Sequence, residues 1–286
     1  MIVVTAATGK LGTLVVNALL EKVPAKDVAV VVRSKDKAKA LAERGVSVRV
    51  GDYGKPESLE GAFHANDRVL LISSSEVGQR KVQHDAVINA AKKAGVALLA
   101  YTSVLRANTS GLGLAAEHKA TEEAIVASGL PHTFLRNGWY TENYTENLGS
   151  ALAHGVLLGA AKDGKIAAAT RADYAAAAVA VLTDPSYDGK ILELGGDAPF
   201  TMTELAAEVA RQSKKAVAYN DMPAADYEKA LLGFGLPAPF ASLLSDSDVG
   251  ITRGDLNDDT GTLSKVIGRP TTSLQAAVAA ALAASH

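Results

Sequence analysis

Thr5-Ala6-Ala7-Thr8-Gly9-Lys10 interrupts an apolar run at the head of the chain, and a Gly-Lys pair in such a loop commonly cradles a phosphate. Two loops read this way, and they serve different chemistry. A phosphoryl-transfer loop, Gly-x-x-x-x-Gly-Lys-Ser/Thr, set on Gly9-Lys10 needs glycine at Val4 and a hydroxyl at Leu11. Neither is present, so the magnesium ligand and part of the backbone cradle are missing. A dinucleotide loop, Gly-x-x-Gly-x-x-Gly, falls on Ala6, Gly9 and Gly12, with alanine in the first place. There Gly9 lets the backbone approach a pyrophosphate and Gly12 lets the next helix pack close. The helix start at Leu11 turns its dipole toward the anion. The same residues would also make a plain strand-to-helix turn, so a second mark is needed.

The second apolar run supplies it. Val28–Val32 ends in Arg33, with Lys35 and Lys37 close behind and no carboxylate at its tip. An NAD site puts Asp or Glu there for the ribose hydroxyls, whereas a cation suits the extra phosphate of NADP. Arg33 alone would read as a solvated surface residue, but with the loop it favours NADP.

Acid–base machinery of the usual dehydrogenase kind is missing. None of the eight tyrosines has lysine four residues on, so the pair that exchanges a proton with an alcohol or ketone is not there. Gly-x-Ser-x-Gly and His-Glu-x-x-His are absent as well. His64, His132 and His154 fall in ordinary surface or cap patterns. His118, within Glu117-His118-Lys119 at a helix start, is expected to be solvated with its neighbours. No catalytic residue can be named on these grounds. Two further segments suggest a nicotinamide pocket. Ser73-Ser74-Ser75 offers small side chains and backbone donors beside a ribose. Asn137-Gly138-Trp139-Tyr140-Thr141-Glu142-Asn143-Tyr144 holds the only tryptophan and would otherwise be an aromatic anchor for the core. An aromatic-walled site without an acid–base pair suits direct hydride transfer to a flat, electron-poor acceptor.

These residues need a scaffold, and the chain spells one out. Apolar runs at Ile2–Thr5, Val28–Val32, Val46–Val50, Arg68–Ser73, Ala97–Thr102 and His132–Arg136 alternate with helical patterns. The helices are placed at Leu11–Glu21, Lys35–Glu43, Pro56–Phe63, Gln79–Lys93 and Ala115–Ala127. Runs without polar alternation, joined by helices, describe a parallel sheet buried on both faces. The fold class is therefore α/β, a Rossmann-type doubly wound sheet. After Arg136 the rhythm fails over Asn137–Asn147, which reads as a functional loop. A helix over Arg171–Leu182 and a strand over Lys190–Leu194 return to the sheet. From Thr201 onward helical patterns dominate, broken at Gly233–Pro239 and Thr252–Thr260, and predict a smaller, mostly helical lobe over the sheet's carboxyl edge. Residues 1–145 and 166–195 are assigned to the NADP-binding domain, and 146–165 and 196–286 to the substrate-binding lobe.

Four stretches carry a family resemblance: "LISSSEVGQR" at 71–80, "NGWYTENY" at 137–144, "ATRADYAAAA" at 169–178 and "SDSDVG" at 245–250. With them the sequence resembles the NmrA-like atypical short-chain dehydrogenase/reductase family from Met1 to about Thr272. Within that family it is most similar to type 2 NADPH:quinone oxidoreductases and triphenylmethane-dye reductases. The resemblance implies that NADPH donates hydride directly, without the Tyr/Lys pair. It implies cofactor contacts at Ala7, Thr8, Gly9, Lys10 and Leu11, at Arg33, and at Ser73, Ser74 and Ser75. It extends them to Asn137, Gly138, Trp139, Tyr140, Thr141, Glu142 and Asn143, with Ala168–Asp173 as a further cofactor-side loop. Ala6 stands where the family's loop has a glycine. Gln79, Trp139, Tyr140, Asn143 and Tyr144 are the candidates for the acceptor pocket, with Phe234 or Phe240 closing it. The competing reading, also from this family, is a regulator that senses NAD(P) and acts through a protein partner without chemistry.

Bulk composition narrows the partners. Of 286 residues 48% are apolar and 21% charged, which is enough for a full core. Twenty-nine basic residues face thirty-one acidic ones with no basic block, so nucleic acid is not an expected partner. There is no cysteine, which removes disulfides, thiolate nucleophiles and cysteine zinc sites, and no metal is expected. A strand beginning at Ile2 leaves no room for a leader, and no apolar stretch reaches the ~18 residues of a membrane span. A cytoplasmic protein acting on a small aromatic molecule is expected, and homodimers are common in folds of this sort.

Overall fold

The computed structural model describes residues 1–146 and 148–284. Its first half follows the alternation seen in the sequence. β1 (Ile2–Thr5) leads to α1 (Lys10–Leu20), and β2 (Val28–Val32) to a 3-10 turn and α2 (Lys39–Glu43). β3 (Ser47–Val50) leads to a 3-10 turn, β4 (Arg68–Leu71) to α3 (Arg80–Ala94), and β5 (Leu98–Val104) to α4 (Gly113–Ser128). β6 (His132–Asn137) is followed by the short α5 (Glu142–Thr145) and α6 (Leu148–His154), β7 (Val156–Gly159), α7 (Arg171–Thr183) and β8 (Ile191–Leu194). The remainder comprises α8 (Met202–Ser213), β9 (Ala218–Asp221), α9 (Ala224–Gly233), α10 (Ala238–Thr252), α11 (Thr262–Ile267) and α12 (Leu274–Ala284).

Seven strands form one sheet in the order β3-β2-β1-β4-β5-β6-β8. β1 pairs in parallel with β2 through Ile2↔Val28 and with β4 through Ile2↔Arg68. The winding reverses at β1, and an open parallel sheet binds ligands beyond the carboxyl ends of its strands at such a point. All five residues of β2 and all seven of β5 are buried, which is why these strands read as unbroken apolar runs. Within this sheet β3, at one edge, is exposed at both ends.

Helices seal both faces. α1 buries Leu11, Val15, Val16 and Leu19, a helical stripe that packs on α7. α3 buries Val87, Ile88 and Ala91 against Leu99, Tyr101 and Phe134 in one apolar cluster. It ends where Gly95, at φ +71°, takes the left-handed conformation that closes helices.

One expectation is corrected. Pro56–Phe63 is no helix: only Pro56–Leu59 makes a 3-10 turn, Glu60 is already extended, and Gly61 follows at φ +75°. The second unit, mostly helical as expected, also holds a two-stranded parallel sheet, β7 against β9, registered from Val156↔Ala218 to Gly159↔Asp221.

The chain divides into two compact units. The first comprises Met1–Ala107, Ala116–Asn137 and Arg171–Leu192; the second comprises Asn108–Ala115, Gly138–Thr170 and Glu193–His286, of which Asn147 and the last two residues lie outside the described set. The long sheet with α1 and α3 belongs to the first unit, and α8 to α12 belong to the second.

Candidate active site

In the first unit, β1 delivers the chain to Ala6, which adopts φ +47°, a left-handed conformation unfavourable for any residue with a Cβ. The turn is closed by Gly9 N–H donating to Ala6 O at 2.9 Å. Gly9 then caps α1 in extended geometry, with no side chain bonded to the cap and no acidic residue in the first turn. The positive end of the α1 dipole is therefore uncompensated by side-chain carboxylates in that turn. A Cβ on Gly12 would lie 2.3 Å from Ala6 O and 2.8 Å from Ala7 Cα, so only glycine fits. Thr8, Gly9 and Lys10 are exposed, while Ala7 and Leu11 are buried beneath them.

Arg33 follows β2 directly. Its side chain is 73% exposed, and Nη1 lies 4.0 Å from the Glu76 carboxylate, so it is free to turn toward an incoming phosphate. Glu76 belongs to the loop after β4, which also carries the three serines. Here the backbone points inward. Ser73 N–H donates to Thr102 Oγ1 and Ser74 N–H to His84 Nε2, both at 2.9 Å. Arg80 Nε holds Ser74 O at 2.6 Å, and Glu117 takes Gly78 N–H and Arg80 Nη1 at 2.9 and 3.1 Å. The Ser73 and Ser74 amides expected to face a ribose thus anchor the loop instead.

His84 is the centre of this anchor. Because Nε2 accepts, the ring proton sits on Nδ1, facing Thr121 Oγ1 at 2.9 Å, and Thr121 donates onward to Glu117 O. Burial, reinforced by the Arg80 charge, holds the imidazole neutral by moving its pKa down to about 4. The expectation that Glu117-His118-Lys119 is solvated fails for its first two residues. Glu117 carries the bonds just described, and His118 is buried with Nδ1 2.7 Å from the Tyr101 hydroxyl. Gln79, at the exposed N-cap of α3, bonds only through its backbone among the contacts seen.

The second segment of the first unit ends at Asn137, whose Oδ1 is buried without a hydrogen-bond partner. The second unit takes up the chain at Gly138, whose N–H donates to Leu194 O at 2.8 Å. Trp139 O accepts from Ala169 N–H, and Thr141 N–H donates to Ala169 O, so Ala168 and Ala169 run beside Tyr140 as a short parallel bridge. This bridge buries Trp139 and Thr141, leaves Tyr140 and Glu142 half-buried, and exposes Asn143. Tyr144 meets the edge of Phe200 at 6.3 Å between ring centroids, and its hydroxyl is sealed from solvent without a partner. Trp139, Tyr140, Asn143 and Tyr144 are thus gathered on one stretch of the second unit, while Gln79 lies in the first. Phe234 and Phe240, in the second unit, are 66% and 46% exposed. A groove of about 640 Å³ on the first unit, lined by Leu59, Phe63, Val82 and Ala86 among others, contains none of the expected residues.

Residues 1–249 match the NmrA-like family. The chain belongs to that family. Over 278 residues, 97% of each chain, it is 53% identical to quinone oxidoreductase 2 of Escherichia coli (strain K12). The crystal structure of an NADPH-dependent quinone oxidoreductase from Escherichia coli complexed with NADPH superposes with a TM-score of 0.96 at 52% identity, covering 99% of this chain and 100% of that one. The triphenylmethane reductase of Citrobacter sp. complexed with NADP(H) superposes with a TM-score of 0.94 at 38% identity, covering 98% and 100%.

Sequence patterns in this NmrA-like chain do not reveal the groups that hold the loop after β4 from beneath. His84, Thr102 and Glu117 belong to no motif. One signal was readable: His84, Val87, Ile88 and Ala91 fall at helical spacing on one face of α3, and a histidine on an apolar face must find hydrogen-bond partners.

Proposed function

We propose that the protein is an NADPH-dependent reductase that passes hydride directly to a quinone or a similar conjugated aromatic acceptor such as a triphenylmethane dye. The observation that carries this reading is the 53% identity to quinone oxidoreductase 2 over 97% of both chains. The residues of the first unit fit the cofactor: a loop that Gly12 keeps clear, an exposed Arg33 with no carboxylate at the β2 tip, and the buried, unpartnered Asn137 Oδ1.

In this reading Ala7, Thr8, Gly9, Lys10 and Leu11 bind the pyrophosphate at the α1 N-terminus, and Arg33 takes the ribose 2′-phosphate. Ser73, Ser74 and Ser75 line the ribose through their side chains, since two of their amides are committed inward. Asn137 through Asn143 run along the nicotinamide side. The bound cofactor supplies the hydride. Trp139, Tyr140, Asn143 and Tyr144 orient the acceptor and keep water from it, with Gln79 a further contact. The first unit is the NADP-binding domain and the second the substrate-binding lobe. A net charge of −2 without a basic block supports small-molecule rather than nucleic-acid partners. Among the described residues no helix is long and apolar enough to cross a membrane. We place the protein in the cytoplasm as a homodimer, which light scattering of the purified protein would test.

The test is the loss of nicotinamide absorbance when the protein meets NADPH or NADH with benzoquinones, naphthoquinones and cationic dyes. Acceptor-dependent oxidation of NADPH in preference to NADH is the expected result. Tight NADPH binding with no turnover on any acceptor would replace the reductase with a cofactor-sensing regulator.

A further inference from the structure

NADPH and NADH differ by one phosphate, so the groups that face Arg33 decide how strongly the protein tells them apart. In the sheet order β2-β1-β4 the tips of β2 and β4 flank β1, and strands about 4.8 Å apart set those tips roughly 10 Å from each other. Arg33 follows β2, and Glu76 lies in the loop after β4; both belong to the first unit. Their side chains approach to 4.0 Å between Nη1 and Oε1, so the pair reaches across the tip of β1. That is where the winding reverses and where the Ala6 turn leads into α1. An ordinary exposed glutamate would swing aside, but this one is held. Its N–H donates to Ser74 Oγ and its carbonyl accepts the Gln79 N–H, each at 3.1 Å. Its Oε2 accepts from Gln83 Nε2 at 2.8 Å, and Gln83, on α3, is only 8% exposed with its own Oε1 buried and unmatched. A buried amide in that condition has one bond to keep, and a bond to a charged group is the stronger kind.

We propose that Arg33, Glu76 and Gln83 form a clasp over the cofactor crevice, in which Glu76 competes with the ribose 2′-phosphate for Arg33 and so limits the preference for NADPH. The proposal rests on Arg33 being the 2′-phosphate ligand, as in the function given above. The phosphate takes Arg33 only by drawing its guanidinium off Glu76, and Gln83 keeps the carboxylate from turning away to solvent. NADH, which lacks that phosphate, makes no such demand and leaves the pair as it is. Glu76 is thus a specificity-determining residue, and Gln83 is a positioning residue that acts through it. The arrangement also serves turnover, because Glu76 reclaims Arg33 as the spent cofactor departs. A single exposed ion pair adds little to the stability of a fold, so its removal should leave the protein folded.

The experiment is fluorescence titration with NADPH and with NADH, and calorimetric titration with 2′,5′-ADP, for the wild type, Glu76→Gln, Gln83→Leu, Arg33→Ala and the double variant Arg33→Ala with Glu76→Gln. Glu76→Gln should tighten NADPH and 2′,5′-ADP about fivefold, the scale of one exposed charge pair, and leave NADH unchanged. Gln83→Leu fills the same space without the tether and should give the same change at smaller size. If Gln83→Leu does not fold, Glu76→Gln carries the test alone, since Glu76 is exposed and its replacement keeps the shape. The gain from Glu76→Gln should disappear in the Arg33→Ala background. It should also shrink as salt approaches 1 M, where charges are screened beyond about 3 Å. Unchanged or weaker NADPH binding by Glu76→Gln, an equal gain for NADH, or a gain that survives without Arg33 would each overturn the proposal. NADPH bound without turnover on any acceptor would remove the reductase reading and leave the clasp to be judged by the same titrations. No binding of NADPH by the wild type would overturn both.

Discussion

The loop after β4 and the stretch that leads into α5 are both expected to line the site, yet they are built in opposite ways. In the first, polar atoms are satisfied from below: Ser73 by Thr102, Ser74 by His84 and Arg80, Gly78 by Glu117. In the second, the backbone is tied to Ala169, but the Tyr144 hydroxyl is buried and unmatched. A loop held this completely can present a fixed surface to a ligand whose shape never changes. A stretch with an unmet donor suits a ligand that arrives, reacts and leaves. In the function proposed above, the contrast is between a seat built for a constant cofactor and a site built for a transient acceptor.

Four measurements break or sharpen that contrast. The harshest is Gly12→Ala, which drives a methyl group into the Ala6 backbone. It should cost about 3 kcal/mol in urea unfolding and abolish NADPH binding, whereas a pliable seat would absorb it. The second concerns pH. His84 has its pKa depressed in the fold, so the unfolded chain binds its proton first, and stability should fall as pH drops from about 6.5 toward 4. His84 alone accounts for a loss on the order of 3 kcal/mol. Buried His118, also depressed, adds to it, so His84→Asn should make the pH dependence shallower without removing it. The third is Arg33→Glu, expected to raise the KM for NADPH ten- to a hundredfold while leaving NADH little changed, the scale of a lost charged hydrogen bond of about 1.5–3 kcal/mol. Equal effects on both cofactors would remove Arg33 from the seat. The mildest is Ala6→Gly, which relieves the left-handed alanine and should stabilise the protein by about 1 kcal/mol in thermal or urea unfolding.

Much of this was legible in the sequence because the parallel sheet is written locally. Five consecutive apolar residues in β2, or seven buried ones in β5, announce a strand with no knowledge of its neighbours. The tight turn after β1 was readable for the same reason, since contacts within a few residues require glycine at Gly12. What escaped depends on distant partners. β9 reads Ala-Tyr-Asn-Asp and becomes a strand only by pairing with β7, some sixty positions earlier. Pro56–Phe63 reads as helical from composition, but the turn that opens at Pro56 stops at Leu59, where Glu60 is extended and Gly61 follows at φ +75°. His118 reads as a solvated helix residue because nothing beside it in sequence reveals Tyr101. Asp248 hid in the same way: "SDSDVG" is polar as text, yet Ala241, Ser245, Asp248 and Ile251 share the buried face of α10.

The interleaving of the two units has a consequence for how the protein is made. The first unit is finished only when α7 and the start of β8 have been synthesised, at Leu192. By then two pieces of the second unit, Asn108–Ala115 and Gly138–Thr170, have already left the ribosome with most of their companions still untranslated. β7 must wait for β9, its parallel partner some sixty positions later. A chain halted near Glu193 would display a nearly complete nucleotide fold beside an orphaned, aggregation-prone stretch, and that intermediate is the one a chaperone would have to shelter.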